Sequence, residues 1–287
     1  MRKLIPALFF TIAFLLSGCA QESKTPNKPQ AVNLASKTPI LLVHGSGGGI
    51  HSFDELADRL TNEYQLSNER LTVTVENDGS LNYSGHLTKN AKRPLIVVAF
   101  SQNSAEPTEW AEGLEAVIAD LHSSYQLDTF DAVGHSNGGL ALTHYLESKK
   151  AKNTPKLKKL VVIGSPFNDL EGEDNIFQAN FTDVTKETAT LKDFLSKQKL
   201  IPDKLEVLSI AGNLAPDKEN DGIVPLESAL ASRLIFKNHS QVYIEKVQTG
   251  ENAVHQTLHE TEETAKQINW FLKNDRLSTK KIFETTN

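Results

Sequence analysis

Seven short runs of apolar, largely β-branched residues recur along the chain, at 40–43, 71–75, 95–100, 130–133, 160–163, 207–210 and 242–244. Several are continuous rather than alternating. A strand that is apolar at every position must be covered on both faces, as in a parallel sheet clad by helices. Patterns of helical period lie between the runs, at 53–60, 110–122, 139–147, 191–199 and 257–272. This alternation predicts an α/β fold with a mainly parallel sheet flanked by helices and joined by right-handed crossovers. The turn signal Asn77-Asp78-Gly79-Ser80 follows one run and predicts a hairpin partner near 81–83. In such sheets the chemistry lies at the carboxyl ends of the strands, so the residues that follow each run are the candidates.

After the run at 130–133 comes Gly134-His135-Ser136-Asn137-Gly138-Gly139, and then a helical pattern. Small residues two before and two after a serine permit a sharp strand-to-helix turn that lifts the hydroxyl above the sheet. Ser136 is therefore the candidate nucleophile. After the first run comes His44-Gly45-Ser46-Gly47-Gly48-Gly49, a loop able to aim a backbone N–H at a developing oxyanion. The two expected donors are the N–H groups of Asn137 and Ser46, with Gly47 as the fallback for the second. No Gly-Lys-Ser/Thr follows, so the loop is not a phosphate cradle.

The acid of a serine triad should follow a later strand. Asp221, in Asp221-Gly222-Ile223-Val224-Pro225, is the candidate, with Asp217 and Glu219 read as solvated loop charges. The base should come last. His255 is the candidate and His259 the alternative, the latter expected within the final helix. The order Ser…Asp…His is that of the α/β-hydrolase fold. Gln256 and Leu258 stand where a zinc-binding histidine pair would require glutamate, so the reading implies no metal and no organic cofactor. The expected chemistry is acyl transfer to Ser136 and hydrolysis of a carboxylic ester; lipase, thioesterase and amidase activity remain open. The rival class is a non-catalytic surface binding module on the same fold. The segment 169–203 is long enough for a small cap. Phe167, Ile176, Phe177, Phe181, Leu191, Phe194 and Leu195 either line an acyl pocket there or pack the cap.

The amino terminus carries a separate message. Arg2 and Lys3 precede an apolar run at 4–16, which is too short to span a membrane but suits a signal peptide. Leu16-Ser17-Gly18-Cys19 follows, holding the one cysteine of the chain, and resembles a bacterial lipobox. The expected organisation is a signal peptide at 1–18, a lipidated Cys19, a polar tether at 19–37, a hydrolase domain at 38–273 and a polar tail at 274–287. Two acyl chains on Cys19 would anchor the protein stably in the cell envelope. Ala20 then suggests the outer membrane facing the periplasm in a Gram-negative host, or the external face of the membrane in a Gram-positive one. The formal net charge of −6 argues against non-specific nucleic-acid binding. No oligomeric state is implied.

Beyond the triad candidates, Arg93-Pro94 before a strand, Trp110 in the next helix, Gly164-Ser165-Pro166-Phe167-Asn168 after a strand and His255-Gln256-Thr257-Leu258-His259-Glu260 form a recognisable set. With them the chain resembles the DUF915 family of bacterial α/β-hydrolases, often labelled cell-surface hydrolases, over roughly 39–272. Asn137 stands where related hydrolases often have methionine; its backbone N–H is unaffected. The resemblance implies the fold and hydrolase chemistry, and no particular substrate.

Overall fold

The computed structural model describes residues 32–178, 181–215 and 217–274. The expected signal peptide, Cys19, most of the tether and the tail from 275 lie outside the described residues.

Eight strands form one sheet: β1 (Ile40–Val43), β2 (Arg70–Val75), β3 (Leu81–Gly85), β4 (Leu95–Phe100), β5 (Thr129–His135), β6 (Lys156–Ile163), β7 (Glu206–Asn213) and β8 (Val242–Thr249). Their order is β3-β2-β4-β1-β5-β6-β7-β8. Every pairing is parallel except that of β2 with β3, the hairpin expected at Asn77–Ser80. There Asp78 Oδ1 accepts from the Ser80 N–H at 2.9 Å, and Gly79 takes the positive φ (79°) that the turn needs.

The alternation of side chains splits the sheet's apolar residues between two cores. Leu41, Val43, Ile96 and Val98 face α2 (Pro107–Tyr125) and α3 (Asn137–Leu146). Ile40, Leu42, Leu95 and Val97 face α1 (Asp54–Asp58) and α7 (Glu262–Lys273). The remaining helices are α4 (Ala189–Lys197), α5 (Leu226–Leu230) and α6 (Ser232–Phe236). The last two have no counterpart among the expected helices; at five residues each they are too short to show a helical period. α7 begins five residues later than its apolar pattern. Leu258–Glu260 forms a single 3₁₀ turn, and Thr261 is the true cap, its hydroxyl accepting from the Thr264 N–H at 3.1 Å.

At the amino ends of the strands two cations, the half-buried Arg93 and the buried Lys159, hold the end of α7. Arg93 donates to the Leu272 carbonyl at 2.9 Å and to the carboxylate of Asp131. Lys159 donates to the Phe271 carbonyl at 2.9 Å and pairs with Glu206 at 3.1 Å. Helix carbonyls without an intrahelical partner are thereby satisfied by charge of the favourable sign. Burial pushes the Asp131 carboxyl up, and Arg93 opposes that shift.

The β6–β7 connection is a packed crossover for much of its length. Asn168 is fully buried and staples it: its Nδ2 donates to the Lys186 carbonyl at 3.0 Å, and its Oδ1 accepts from the Thr188 N–H at 3.0 Å. Phe167, Leu191 and Phe194 belong to the core beneath, and Leu195 packs against it. Phe181 and Phe177 pack with Val224 and Leu226, and Ile176 is exposed. Of the two readings of these seven side chains, packing is the one observed for six.

Candidate active site

β5 ends at His135 and α3 starts at Asn137, so Ser136 alone makes the turn between them. Its backbone is at φ 52°, ψ −127°, a conformation that non-glycine residues rarely adopt. The turn is tight enough that a Cβ on Gly138 would collide with the carbonyl oxygens of Val43 and His44. Glycine is therefore required where the pattern has it, because two backbones touch. Ser136 stays partly exposed above the sheet.

Asp221 and His255 come to the same place from separate loops. His255 Nδ1 lies 2.7 Å from Asp221 Oδ2, and His255 Nε2 lies 3.1 Å from Ser136 Oγ. A carboxylate can only accept, so Nδ1 donates to Asp221, and Nε2 is the ring nitrogen that faces the serine hydroxyl. Asp221 is itself fixed: its Oδ1 accepts from the N–H groups of Ile223 (3.0 Å) and Val224 (2.7 Å), and its carbonyl accepts from the His255 N–H (2.8 Å). Gly164, after β6 and at φ 53°, leaves room for the pair; a Cβ there would stand 3.1 Å from Asp221 Oδ2. Asp217 is exposed in the loop before Asp221 and Glu219 is half-buried.

The loop after β1 is pinned from both sides. Asn103 accepts the Gly47 N–H at 2.7 Å and donates from Nδ2 to the Gly48 carbonyl at 3.1 Å. The fallback donor Gly47 is thus already engaged. The N–H groups of Ser46 and Asn137 have no partner among the described residues, and the Asn137 side chain donates to Ser46 Oγ at 2.8 Å, holding the two together. His44 anchors the start of the loop. Its Nδ1–H donates to the Gly45 carbonyl at 2.7 Å, and its Nε2 accepts from the Phe100 N–H at 3.1 Å. Burial lowers its pKa, consistent with that neutral form.

His259 lies in the 3₁₀ turn, not in the helix, and has no hydrogen bond to Ser136. Its Nε2–H donates to the Ser52 carbonyl at 2.7 Å, and burial lowers its pKa to about 4. Its ring stacks on His135 at 4.1 Å between centroids. His135 in turn donates from Nε2 to the His255 carbonyl at 2.9 Å, and burial holds it neutral. The variable position inside the elbow motif thus supports the backbone of the residue facing Ser136, a role that the pattern alone does not announce.

A groove of about 570 Å³ opens beside Asn137. Leu140, Pro166 and Leu170 give it an apolar part, and Glu106, Asp169, Glu171 and Asp193 line it with carboxylates. His144 also lines it, with its pKa lowered by burial to about 4.

Residues 27–275 match the family model described as an alpha/beta hydrolase of unknown function, DUF915. The chain belongs to this family. A solved structure of a Listeria innocua gene product is 47% identical, with a TM-score of 0.81 over 84% of this chain and 96% of that one. A Lactobacillus plantarum protein assigned provisionally as a cell surface hydrolase is 27% identical, with a TM-score of 0.67 over 86% of this chain and 96% of that one. The propeptide form of a Bacillus licheniformis lipase shares the fold at 13% identity, with a TM-score of 0.50 over 88% of this chain and 54% of that one. No curated protein matches the chain. The fold and a hydrolase-family membership thus agree with what the residues implied.

Proposed function

We propose that this DUF915 member is a serine carboxylesterase. The observation that carries the reading is the continuous relay from Asp221 through His255 to Ser136, at 2.7 and 3.1 Å. In the proposed reaction His255 Nε2 takes the proton of Ser136 as Oγ attacks the acyl carbonyl carbon. Charge moves to the carbonyl oxygen, where the N–H groups of Ser46 and Asn137 receive it. The tetrahedral intermediate collapses, and His255 returns the proton to the departing alkoxide. Water then enters and gives a proton to His255 as its oxygen attacks the acyl-enzyme carbonyl; the second tetrahedral intermediate collapses, His255 returns the proton to Ser136 Oγ, and the acid is released. Asp221 stabilises the imidazolium at each stage without taking its proton.

The groove at Asn137 favours small acyl esters over long ones, because four carboxylates line it beside Leu140, Pro166 and Leu170. A series of acyl esters of graded length is the test. Acetate to butyrate esters should be hydrolysed at least tenfold faster than esters of twelve or more carbons; the opposite order would argue for a lipase.

The chain is further proposed to be exported and anchored through Cys19, on the strength of Leu16-Ser17-Gly18-Cys19 after a signal-like run. The Lactobacillus relative's provisional assignment to the cell surface is in keeping with that placement. Cys19→Ala should remove the protein from the detergent phase on partitioning or leave uncleaved precursor. Unchanged partitioning would refute the anchor.

A further inference from the structure

The end of the sheet opposite Ser136 carries a second groove, of about 820 Å³, at the starts of β5 and β6. Its apolar lining includes Tyr145, Leu157, Pro155 and Leu200, and Leu200 is 44% exposed. Lys149, Lys152, Lys156, Lys158 and Lys204 also line it. All five are exposed, and none forms an ion pair among the described residues. Lys150, also on the groove, differs: its ammonium lies 2.7 Å from Glu115 and over the Tyr145 ring. No acidic residue occurs between Ser148 and Asn168. Asp128 and Asp203 are near in sequence and do not line the groove. In a chain of net charge −6, this face has the opposite sign from the whole.

The second observation is where the chain enters the domain. Leu34 donates its N–H to the Tyr125 carbonyl at 2.7 Å, and Asn33 Nδ2 donates to Gln126 Oε1 at 2.6 Å. Thr38 Oγ1 lies 3.1 Å from Oγ1 of Thr129, which itself lines the groove. The segment before Val32, which contains Cys19, therefore joins the domain at the end that bears the lysines.

We propose that this face docks on an anionic phospholipid surface, with the lysines at the phosphate level and Leu200 at the headgroup boundary. Lysines near such a surface are attracted to it, and the attraction fades over a Debye length, so it is reversible and salt-sensitive. A tether from the same end raises the local concentration of the surface and fixes which side faces it. The choice of a membrane rests on the anchoring reading above. Docking in this way holds Ser136 at the far end of β5, about 20 Å from the groove at roughly 3.3 Å per residue. The candidate site then opens away from the supporting bilayer, and its esters arrive from the aqueous side.

The test uses the chain from Ala20 to Asn287, without leader or cysteine. That segment keeps the whole of residues 27–275, which match the family model. Flotation is measured with phosphatidylcholine vesicles and with vesicles containing three parts in ten of phosphatidylglycerol. Binding to the anionic vesicles should exceed binding to the neutral ones at least tenfold at low salt, and fall away at 300 mM salt. Replacing Lys149, Lys152, Lys156 and Lys158 by glutamine should weaken it by more than tenfold, since each lysine contributes about fivefold. Equal binding to both vesicle types, or undiminished binding by the four-lysine variant, would overturn the proposal. So would a dimer in sedimentation that the variant converts to monomer, because the groove would then be covered by a second copy. Labelling of Ser136 by a fluorophosphonate, followed in the same samples, reports separately on the hydrolase reading and should not change in the variant.

Discussion

The two ends of β5 hold buried charge in opposite ways. At the amino end Asp131 meets Arg93, and the neighbouring Lys159 meets Glu206, with both cations also capping α7. At the carboxyl end Asp221 is just as buried, yet what it holds is an imidazole whose second nitrogen faces a partly exposed hydroxyl. Ser136 has a strained backbone there, and two N–H groups nearby lack partners among the described residues. One end matches charge with charge and ties elements together. The other brings an imidazole nitrogen, a hydroxyl and two backbone donors together at one partly exposed place. Burial of a carboxylate alone does not tell the two apart; the groups left free around it do.

The largest expected effect falls on the carboxyl end. Ser136→Ala should lower ester turnover by about 10⁴ or more. The melting temperature should barely move, because the hydroxyl bears no packing. His255→Ala should lose as much activity, and His259→Ala should keep a substantial fraction, since its ring bonds the Ser52 carbonyl, stacks on His135 and meets the Phe53 ring edge-on, away from Ser136 Oγ. Assays of the purified, folded variants decide this, and a reversed order would move the base to His259.

The amino end should respond in stability rather than rate. Arg93→Met leaves Asp131 buried without its cation and should cost about 3–5 kcal/mol in urea unfolding, with kcat of the folded protein preserved. Adding Asp131→Leu to it should recover much of the loss. If the single variant instead lost kcat at unchanged stability, the division between the two ends would be wrong.

A smaller effect is expected from Glu147, at the end of α3. It is 3% exposed, its carboxylate oxygens have no hydrogen-bond partner among the described residues, and burial pushes its pKa up to about 8. Between the usual carboxylate value and about 8, the folded protein holds a proton that the unfolded chain has released. Stability from this group should therefore fall as pH rises through that window. Glu147→Gln should be the more stable protein at pH 9, by about 1–2 kcal/mol, with the advantage gone below pH 4.5. A flat difference across this range in denaturant titrations would refute the assignment.

The sheet was legible in the sequence because its strands are apolar on both faces, as at 95–100, and the elbow because glycines two before and two after the serine let the strand turn sharply into the helix. The strand ends were less so. β6 begins at Lys156, four residues before its apolar run, because Lys159 is buried through a pairing with Glu206 that no local pattern reveals. His135, His44 and Asn103 were invisible as supports for the same reason: each acts on a backbone group far away in sequence. α5 and α6 are held by tertiary packing, not by a repeat of their own.

The central claim is that Ser136 is an activated nucleophile. Peptide mapping by mass spectrometry after exposure to a fluorophosphonate tests it most directly. One adduct is expected, on the peptide containing Ser136, absent in Ser136→Ala and greatly slowed in His255→Ala. No adduct on the folded wild-type protein, or an adduct on another residue with Ser136 unmodified, would contradict the account.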